Sequence, residues 1–503
     1  MSRVFKVFIG ILLSIGTCVR LLPLLSEQRM FYSISEDGYL MMTIARNLAL
    51  GFGMSTADGT LPTNGTQPLM TFVWAIFYWL TDGDKSTSVI FIVLTQFVIS
   101  VLAAYLLWKL SVKLLEHHPQ RFEIAALATG IWFASPVFIG MSMNGLETGA
   151  YALIVLAICY GLLLNLETLR WRQVVFLGLA LGICFWTRND AIFFIFAVCV
   201  SYILVAGERA QQAQRFYQIL VMGSLSVLVA VPWLVNNYKG FGSIMPISGQ
   251  AESLTAQLGY NLPFLPPVLV ENFMVFLPIP SSIQDTPPVI ALSLIFLLGV
   301  LWGLQKLWQR LQTRAQRWLF TLVSIYGLGF CGFYGLYFGA EYFIPRYFYP
   351  LTPFTSLLWA VLVLWIWVRI KWFVLKGVAV SLMLLIIVGL HVRDFGKAAS
   401  HPHFQVVNWV HRHVPTSDWV GAIQSGTLGY FHDRTINLDG KVNPEALAAR
   451  RREQVGYYVV SKPINYLADW TGKWMYDPVL SRYFLIVVND KERNLGVLRR
   501  RQK

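Results

Sequence analysis

The sequence predicts a mainly α-helical protein, a polytopic transmembrane bundle of about eleven spans followed by a C-terminal extracytoplasmic α/β domain. Of its 503 residues, 56% are hydrophobic and 13% are charged, whereas soluble domains carry roughly 25% charged residues. Many stretches approach the roughly 20 apolar residues that a helix needs to cross the hydrocarbon core of a bilayer. Most of the chain is therefore predicted to lie in a membrane.

Basic residues recur in clusters between the apolar stretches, and these clusters predict the topology. They are Arg3 and Lys6; Lys109, Lys113 and Arg121; Arg170 and Arg172; Arg209 and Arg215; Lys306, Arg310, Arg314 and Arg317; and Arg369, Lys371 and Lys376. If all of them face the cytoplasm, as basic loops do, the spans alternate consistently with the N-terminus inside. The net charge of +14 is then mostly a topology signal, and nucleic acid is not a predicted partner.

The predicted spans follow from this alternation. The first one begins like a signal peptide, but no small-residue cleavage site follows it, so it is predicted to stay. The apolar segment 68–81 is too short to cross and is predicted to be an interfacial or partly inserted helix. The spans are predicted at 4–22, 86–108, 122–140, 148–166, 173–187, 191–206, 217–235, 287–305, 318–338, 351–368 and 377–392.

Two domains are predicted, a membrane domain at 1–392 with a long first outer loop at 23–85, and an outer domain at 393–503. In the outer domain, strand patterns (DWVGAIQ, RTINL, INYLADW, YFLIVV) alternate with helical ones, which favours a small α/β domain. Its histidine pairs are spaced i, i+2, not i, i+4 as a helical zinc pair requires. The five cysteines lie in or beside apolar stretches without paired spacing, so we interpret them as small buried hydrophobic residues.

The sharpest chemical signal is the acidic pair Glu36 and Asp37 at the start of the first outer loop. A carboxylate at a membrane face can act as general base for an alcohol, which does not ionise unaided. Because neighbours on a helix diverge by about 100°, only one of the pair can point into a given site. The alternative is a helix start, with Ser35 as N-cap and the two carboxylates favoured by the helix dipole. The sequon at Asn64 is interpreted as a turn.

Five segments, in order, carry a resemblance to a known family. They are EDGYLMMTIARNLALGFG with TNGTQPLM, NGLETGAYAL at 144–153, TRND at 187–190, VPWLVNNYKGFGSIMP at 231–246 and PRYFYPLTPF at 345–354, and the outer domain adds GTLGYF and INLDGKVN. This set resembles the GT-C superfamily of membrane glycosyltransferases, in particular its arabinofuranosyltransferase-like and ArnT-PMT-like branch that uses polyprenyl-phosphate sugars. Where relatives often open with two aspartates, this chain has Glu36 before Asp37.

The resemblance implies transfer of a sugar from a polyprenyl-phosphate donor to a glycan, lipid or protein acceptor by a single inverting displacement. Asp37 or Glu36 would be the base, with Asp37 slightly favoured. No cofactor is certain, although a divalent cation (Mg or Mn) is possible. The closest-looking relatives are bacterial, which implies a bacterial plasma membrane.

Further site residues are assigned with their alternatives. Glu147 would orient the acceptor or bind a metal, or be an ordinary loop carboxylate. The donor phosphate would contact Arg346, Arg188 and Arg46. Alternatively, Arg346 is an arginine at the membrane interface, Arg188 forms a structural pair with Asp190, and Arg46 lies on a solvated helix face. Sugar or lipid contacts are assigned to Tyr39, Trp233 and Tyr342.

A membrane transporter or lipid flippase without covalent chemistry is the alternative function. It predicts inverted repeats, broken helices and charges near the membrane midplane. The sequence has no visible repeat, and its polar candidates gather on one predicted face.

Overall fold

A computed structural model describes residues 3–205, 209–275, 278–339, 344–397 and 401–502. Its N-terminal part is almost entirely helical. The helices are α1 (Arg3–Leu21), α2 (Glu27–Tyr32), α3 (Glu36–Ala49), α4 (Pro68–Leu80), α5 (Lys85–Leu114), α6 (Arg121–Ala134), α7 (Pro136–Ser142), α8 (Thr148–Leu164), α9 (Trp171–Thr187), α10 (Ala191–Leu204), α11 (Arg209–Phe241), α12 (Ile247–Ser253), α13 (Leu265–Met274), α14 (Ser281–Gln284), α15 (Pro287–Arg310), α16 (Arg314–Phe330), α17 (Ile344–Phe348), α18 (Thr352–Arg369) and α19 (Phe373–Lys397). Short 3-10 turns at Leu22–Leu25 and Tyr349–Leu351 and a π-helical turn at Cys331–Gly335 join some of them.

Each predicted span falls on helical segments of the described chain, although 122–140 is divided between α6 and α7 and 318–338 runs past the end of α16; this confirms the multi-pass helical fold. Within the described ranges, seven helical segments are long and apolar enough to cross a membrane on their own: Phe5–Leu25, Lys85–Leu114, Gln211–Phe241, Pro287–Arg310, Arg314–Gly335, Ile344–Arg369 and Val374–Asp394. The bent pair α6–α7 adds an eighth segment if it is one span, and α4, α8, α9 and α10 are shorter apolar helices. The number of spans therefore stays a prediction.

The bend between α6 and α7 is 64° and is held by side chains from the first and last helices of the bundle. Pro136 has no N–H to donate and Ser135 before it is extended, so α6 ends at Ala134 and its last carbonyl groups lose their helical partners. Arg20 of α1 donates to the carbonyl oxygen of Phe133 at 2.6 Å, and His391 Nε2 of α19 lies 2.9 Å from that of Ala134. The buried Arg20 thus has a structural role, and two carbonyl groups at the break have side-chain partners.

The first outer loop is built from α2, α3, a small antiparallel ribbon (β1, Ser55–Thr56; β2, Leu61–Pro62) and α4. Asn64 is fully buried, donates to Asn237 Oδ1 at 2.9 Å and accepts from the Ile247 amide at 3.0 Å. The side chain therefore ties this loop to the end of α11 and the start of α12. The helix α11 also continues through Pro232 to Phe241, beyond the predicted end of the span at 235.

The C-terminal part folds as a five-stranded mixed sheet with helices, which confirms the predicted α/β class. The strand order is β4-β3-β5-β7-β6, with β3 parallel to β4 and β5, and β7 antiparallel to β5 and β6. The strands are β3 (Trp419–Ala422), β4 (Thr435–Asn437), β5 (Ile464–Asp469), β6 (Phe484–Asp490) and β7 (Leu495–Arg500). The helices are α20 (Phe404–His413), α21 (Gly426–Phe431), α22 (Pro444–Arg451), α23 (Val455–Ser461) and α24 (Leu480–Tyr483), and a 3-10 turn spans Lys473–Tyr476.

An apolar and aromatic contact joins this part of the chain to the first outer loop. Tyr430 of α21 is buried among Phe31, Tyr39 and Phe431, and its hydroxyl lies 2.9 Å from that of Tyr78 in α4. Buried aromatic contacts of this kind contribute more than their area alone. The C-terminal part therefore rests directly on the helix that carries the acidic pair.

Candidate functional site

A cavity of about 340 Å³ lies where the first outer loop, the α9–α10 junction, α12, α17 and the C-terminal part meet. Segments far apart in the sequence supply its ionisable side chains. The residues that line it are Asp37, Leu40, Met41, Gly65, Thr66, Gln67, Leu146, Glu147, Arg188, Asn189, Asp190, Ile192, Phe193, Met245, Pro246, Ser248, Gly249, Glu252, Phe333, Tyr334, Phe338, Arg346, Tyr347 and Lys441. A cavity of this size fits the lower end of small-molecule sites.

Asp37 stands at the cavity wall in the first turn of α3. The helix begins there because Ser35 caps it, accepting from the Gly38 amide at 3.1 Å. Arg346 Nη1 donates to Asp37 Oδ2 at 3.0 Å. Burial works against the charge on Asp37, but Lys441 and Arg346 outweigh it and hold the pKa of this carboxyl below its usual value. Asp37 is therefore an ionised acceptor at neutral pH.

Glu36 does not line the cavity, and its carboxylate is hydrogen-bonded to the C-terminal part. Its carboxylate accepts from the Gly426 amide, from the Thr427 amide at 2.8 Å and from the Thr427 hydroxyl at 2.5 Å. Gly426 packs so closely on the Glu36 carbonyl that a Cβ there would collide with it. The acidic pair is thus divided: Glu36 fastens α21 to α3, and Asp37 faces the cavity.

Arg188 lines the cavity but is only 2% exposed, and it lies between two carboxylates. It pairs with Asp190, and its Nε lies 3.8 Å from Glu147 Oε1. The Arg188 guanidinium also lies 5.2 Å from the ring of Tyr347 and 3.4 Å from the carbonyl oxygen of Arg346. Two negative charges therefore surround Arg188, and its position supports the segment that carries Arg346.

Lys441 and Glu252 form an ion pair at the cavity wall that the sequence did not indicate. Lys441 Nζ lies 2.7 Å from Glu252 Oε1. Lys441 follows the turn at Asp439 and Gly440, where Gly440 has a φ of +83°. A lysine that follows a turn in a polar domain cannot be told from an ordinary solvent-exposed lysine. The only indication of a role for Lys441 in the sequence is that it lies in INLDGKVN, one of the segments that carry the family resemblance.

The structure places three other assigned residues, Arg46, Tyr39 and Trp233, away from the cavity wall. Arg46 donates to the Gly83 carbonyl and pairs with Asp433. Tyr39 is buried and donates its hydroxyl to the Phe31 carbonyl at 2.6 Å. Trp233 is buried beside Trp186, with ring centroids 6.3 Å apart. Tyr342 lies outside the described residues.

The carboxylates of the cavity do not form a ready metal site. Among the residues that the structure describes, no group of three or more His, Cys, Asp or Glu side chains is arranged to hold an ion. Each cavity carboxylate has a cationic partner instead: Asp37 has Arg346, Glu147 and Asp190 have Arg188, and Glu252 has Lys441. In this structure the cavity carboxylates of the described residues are therefore arranged as ion pairs with arginine and lysine.

Two family models match parts of the chain. Residues 64–235 match Dolichyl-phosphate-mannose-protein mannosyltransferase, and residues 392–495 match a domain of unknown function, DUF8728. A comparison with curated proteins gives no significant match.

Solved structures share the fold over nearly the whole chain. ArnT from Cupriavidus metallidurans bound to undecaprenyl phosphate has a TM-score of 0.59 at 14% identity, and the match covers 98% of this chain and 97% of that one. The Archaeoglobus fulgidus oligosaccharyltransferase complex with Zn and sulfate has a TM-score of 0.55 at 13% identity, covering 95% and 71%. AglB from Archaeoglobus fulgidus, with an inhibitory peptide and a dolichol-phosphate, has a TM-score of 0.54 at 12% identity, covering 99% and 74%. These likenesses in fold, together with the mannosyltransferase match over residues 64–235, agree with the resemblance to the GT-C superfamily of membrane glycosyltransferases.

Proposed function

We propose that this chain is an integral membrane glycosyltransferase that moves a sugar from a polyprenyl-phosphate donor to an extracytoplasmic acceptor hydroxyl. The observation that carries the proposal is the meeting of Asp37 with Arg346 and Lys441 in one cavity at the ends of the apolar helices. A carboxylate base and cations for a phosphate leaving group are what such a transfer requires. The structural neighbours support the donor class, since one binds undecaprenyl phosphate and another a dolichol-phosphate.

In the proposed mechanism, Asp37 takes the proton of the acceptor hydroxyl as its oxygen bonds to the anomeric carbon. The bond from that carbon to the phosphate oxygen breaks on the opposite side, which inverts the configuration and releases polyprenyl phosphate. Arg346 binds the phosphate and stabilises the negative charge that develops on the leaving oxygen. The entering phosphate draws Arg346 away from Asp37, so the base becomes available when the donor is bound.

Three polar residues that line the cavity support sugar recognition. Among the described residues, the buried atoms without a hydrogen-bond partner include Gln67 Oε1, Asn189 Oδ1 and Asp190 Oδ1, and all three residues line the cavity. Buried polar atoms are normally satisfied, and sugar hydroxyls are donors that can satisfy acceptors. Glu147 keeps its proposed part in orienting the acceptor by holding Arg188 in place.

The test is transfer from a polyprenyl-phosphate sugar by the purified chain in lipid. Asp37→Asn is expected to lower turnover by roughly 10²–10⁴-fold, with donor binding retained. Asp58→Asn is the matched control, because Asp58 is an exposed carboxylate of the same loop whose φ of 54° suits asparagine. Full activity of the Asp37→Asn variant would show that another group is the base.

A wild-type chain that moves lipid or sugar across a bilayer without forming a new glycosidic bond would support the transporter alternative instead. The proposed location is a bacterial plasma membrane, with the N-terminus in the cytoplasm and the C-terminal domain outside.

A further inference from the structure

We infer that the C-terminal domain supplies Lys441 to the cavity as a phosphate-binding cation, so that this domain is part of the donor site. The inference rests on the proposed function and deepens it. It concerns the phosphate group of the donor, whatever the sugar that the phosphate carries.

The cations of the cavity differ in how available they are to a ligand. Arg188 is 2% exposed and lies between Glu147 and Asp190. Lys441 and its partner Glu252 are 21% and 20% exposed, so a ligand in the cavity reaches this pair. Arg346 is 18% exposed and contacts Asp37. A phosphate that enters beside Asp37 therefore meets Arg346 and Lys441 before any other cation of the described wall.

The backbone holds Lys441 at this position from two sides. The Lys441 amide donates to Asp439 Oδ1 at 2.8 Å, which closes the turn, and Arg450 donates to the Asp439 carbonyl at 3.0 Å. On the other side, the Lys441 carbonyl packs so closely on Gly65 that a Cβ there would collide with it. The turn is therefore seated on the first outer loop, and Lys441 lines the same cavity as Asp37.

Glu252 occupies the position of an anion at Lys441. It lies on α12, which packs against α22 through Ile247, Ala251 and Leu447. Arg451 adds a 2.7 Å hydrogen bond to Gln250 of the same helix. Because α12 is held by these other contacts, Lys441 can exchange the Glu252 carboxylate for a phosphate oxygen without release of the helix. Glu252 is then a competitor of the phosphate.

This exchange predicts opposite effects for two substitutions in binding of farnesyl phosphate, a short prenyl phosphate, to the full chain in detergent. Lys441→Met is expected to weaken binding roughly tenfold or more, because a charge-assisted hydrogen bond is lost. Glu252→Gln is expected to strengthen binding by about threefold or more, because a competing charge is removed. Lys441→Arg is expected to retain most of the affinity.

Two kinds of control are needed. One distinguishes binding of the phosphate group from binding of the prenyl tail, and the other distinguishes loss of the Lys441 charge from a general effect of losing a lysine in this domain. Farnesol and inorganic phosphate test each half of the ligand alone, and both are expected to bind more weakly than farnesyl phosphate. Lys462→Met is the matched variant, since Lys462 pairs with Glu445 in the same domain but does not line the cavity; it is expected to bind like the wild type.

Wild-type affinity in Lys441→Met, at an unchanged unfolding temperature, would overturn the inference. If the wild type transfers sugar in lipid while Lys441→Met binds normally, only this inference fails. If the wild type neither transfers sugar nor binds farnesyl phosphate, the proposed function fails with it.

Discussion

Replacement of Glu36 by glutamine tests whether the two carboxylates of the acidic pair have different roles. In the structure the Glu36 carboxylate accepts three hydrogen bonds from Gly426 and Thr427. Glutamine keeps one oxygen, so two bonds to Thr427 survive in neutral form, while its NH₂ group faces the Gly426 N–H. One charge-assisted bond is lost and the others weaken, at a cost of about 2–4 kcal/mol to the contact between α21 and α3.

Hydrogen exchange at the Gly426 and Thr427 amides measures this contact directly. If exchange occurs through local opening of the contact, 2–4 kcal/mol corresponds to roughly 30- to 700-fold faster exchange. Glu445→Gln is the control, because Glu445 is half-exposed and pairs with Lys462 elsewhere in the same domain. Thr427→Val is expected to weaken the same contact, and its effect should be less than additive with Glu36→Gln, since both remove parts of one network.

The opposite result would refute the division of the pair. If Glu36→Gln leaves exchange of both amides unchanged and abolishes turnover as completely as Asp37→Asn, then Glu36 is the reacting carboxylate. If Glu36 only holds α21 against α3, the Glu36→Gln variant lowers turnover because α3, which carries Asp37, is less well positioned. That variant is then expected to keep measurable transfer at low temperature.

Two further predictions concern stability. Burial raises the pKa of Asp469 to about 7, above its value near 4 in an unfolded chain, so the folded state binds the proton more tightly. The C-terminal domain should lose stability as pH rises from about 4 through 7, and Asp469→Asn should flatten the dependence of unfolding temperature on pH between 5 and 8; an identical slope in both proteins would contradict this. Asn64→Ala should destabilise the contact of loop, α11 and α12 by about 1–3 kcal/mol, because it leaves a buried acceptor on Asn237 and the Ile247 amide unpaired. Unchanged exchange at the Ile247 amide would argue against it.

Hydropathy and the basic clusters predicted the helices of the membrane part well, because a bilayer imposes one length and one composition on each span. The same signals could not predict helix ends. Pro232 does not stop α11, and the helix runs on to Phe241. In the C-terminal domain the strand β7 was missed, since LGVLRR alternates poorly and ends in charges.

Part of the candidate site was predictable from the sequence. Asp37 stood out in the acidic pair, and Glu147, Arg188 and Arg346 in segments that carry the family resemblance, and all four line one cavity. Lys441 and Glu252 were missed because both lie in polar segments where a charge is ordinary. Their pairing arises only from the docking of α22 on α12, and no local pattern encodes a contact between segments so far apart. The different directions of Glu36 and Asp37 follow from helix geometry, but which one faces the cavity depends on α21.

The bend between α6 and α7 has a consequence for how the protein is assembled. Its freed carbonyl groups accept from Arg20 on the first helix of the bundle and contact His391 on the last. During membrane insertion α1 is made before α6, so the hydrogen bond from Arg20, in the last turn of α1, to the Phe133 carbonyl can form only once α6 has been made. The last helix arrives only after every other one. The contact of His391 with the Ala134 carbonyl can therefore form only after α19 is in place, so the bend is completed late and by helices that are not its neighbours in the sequence.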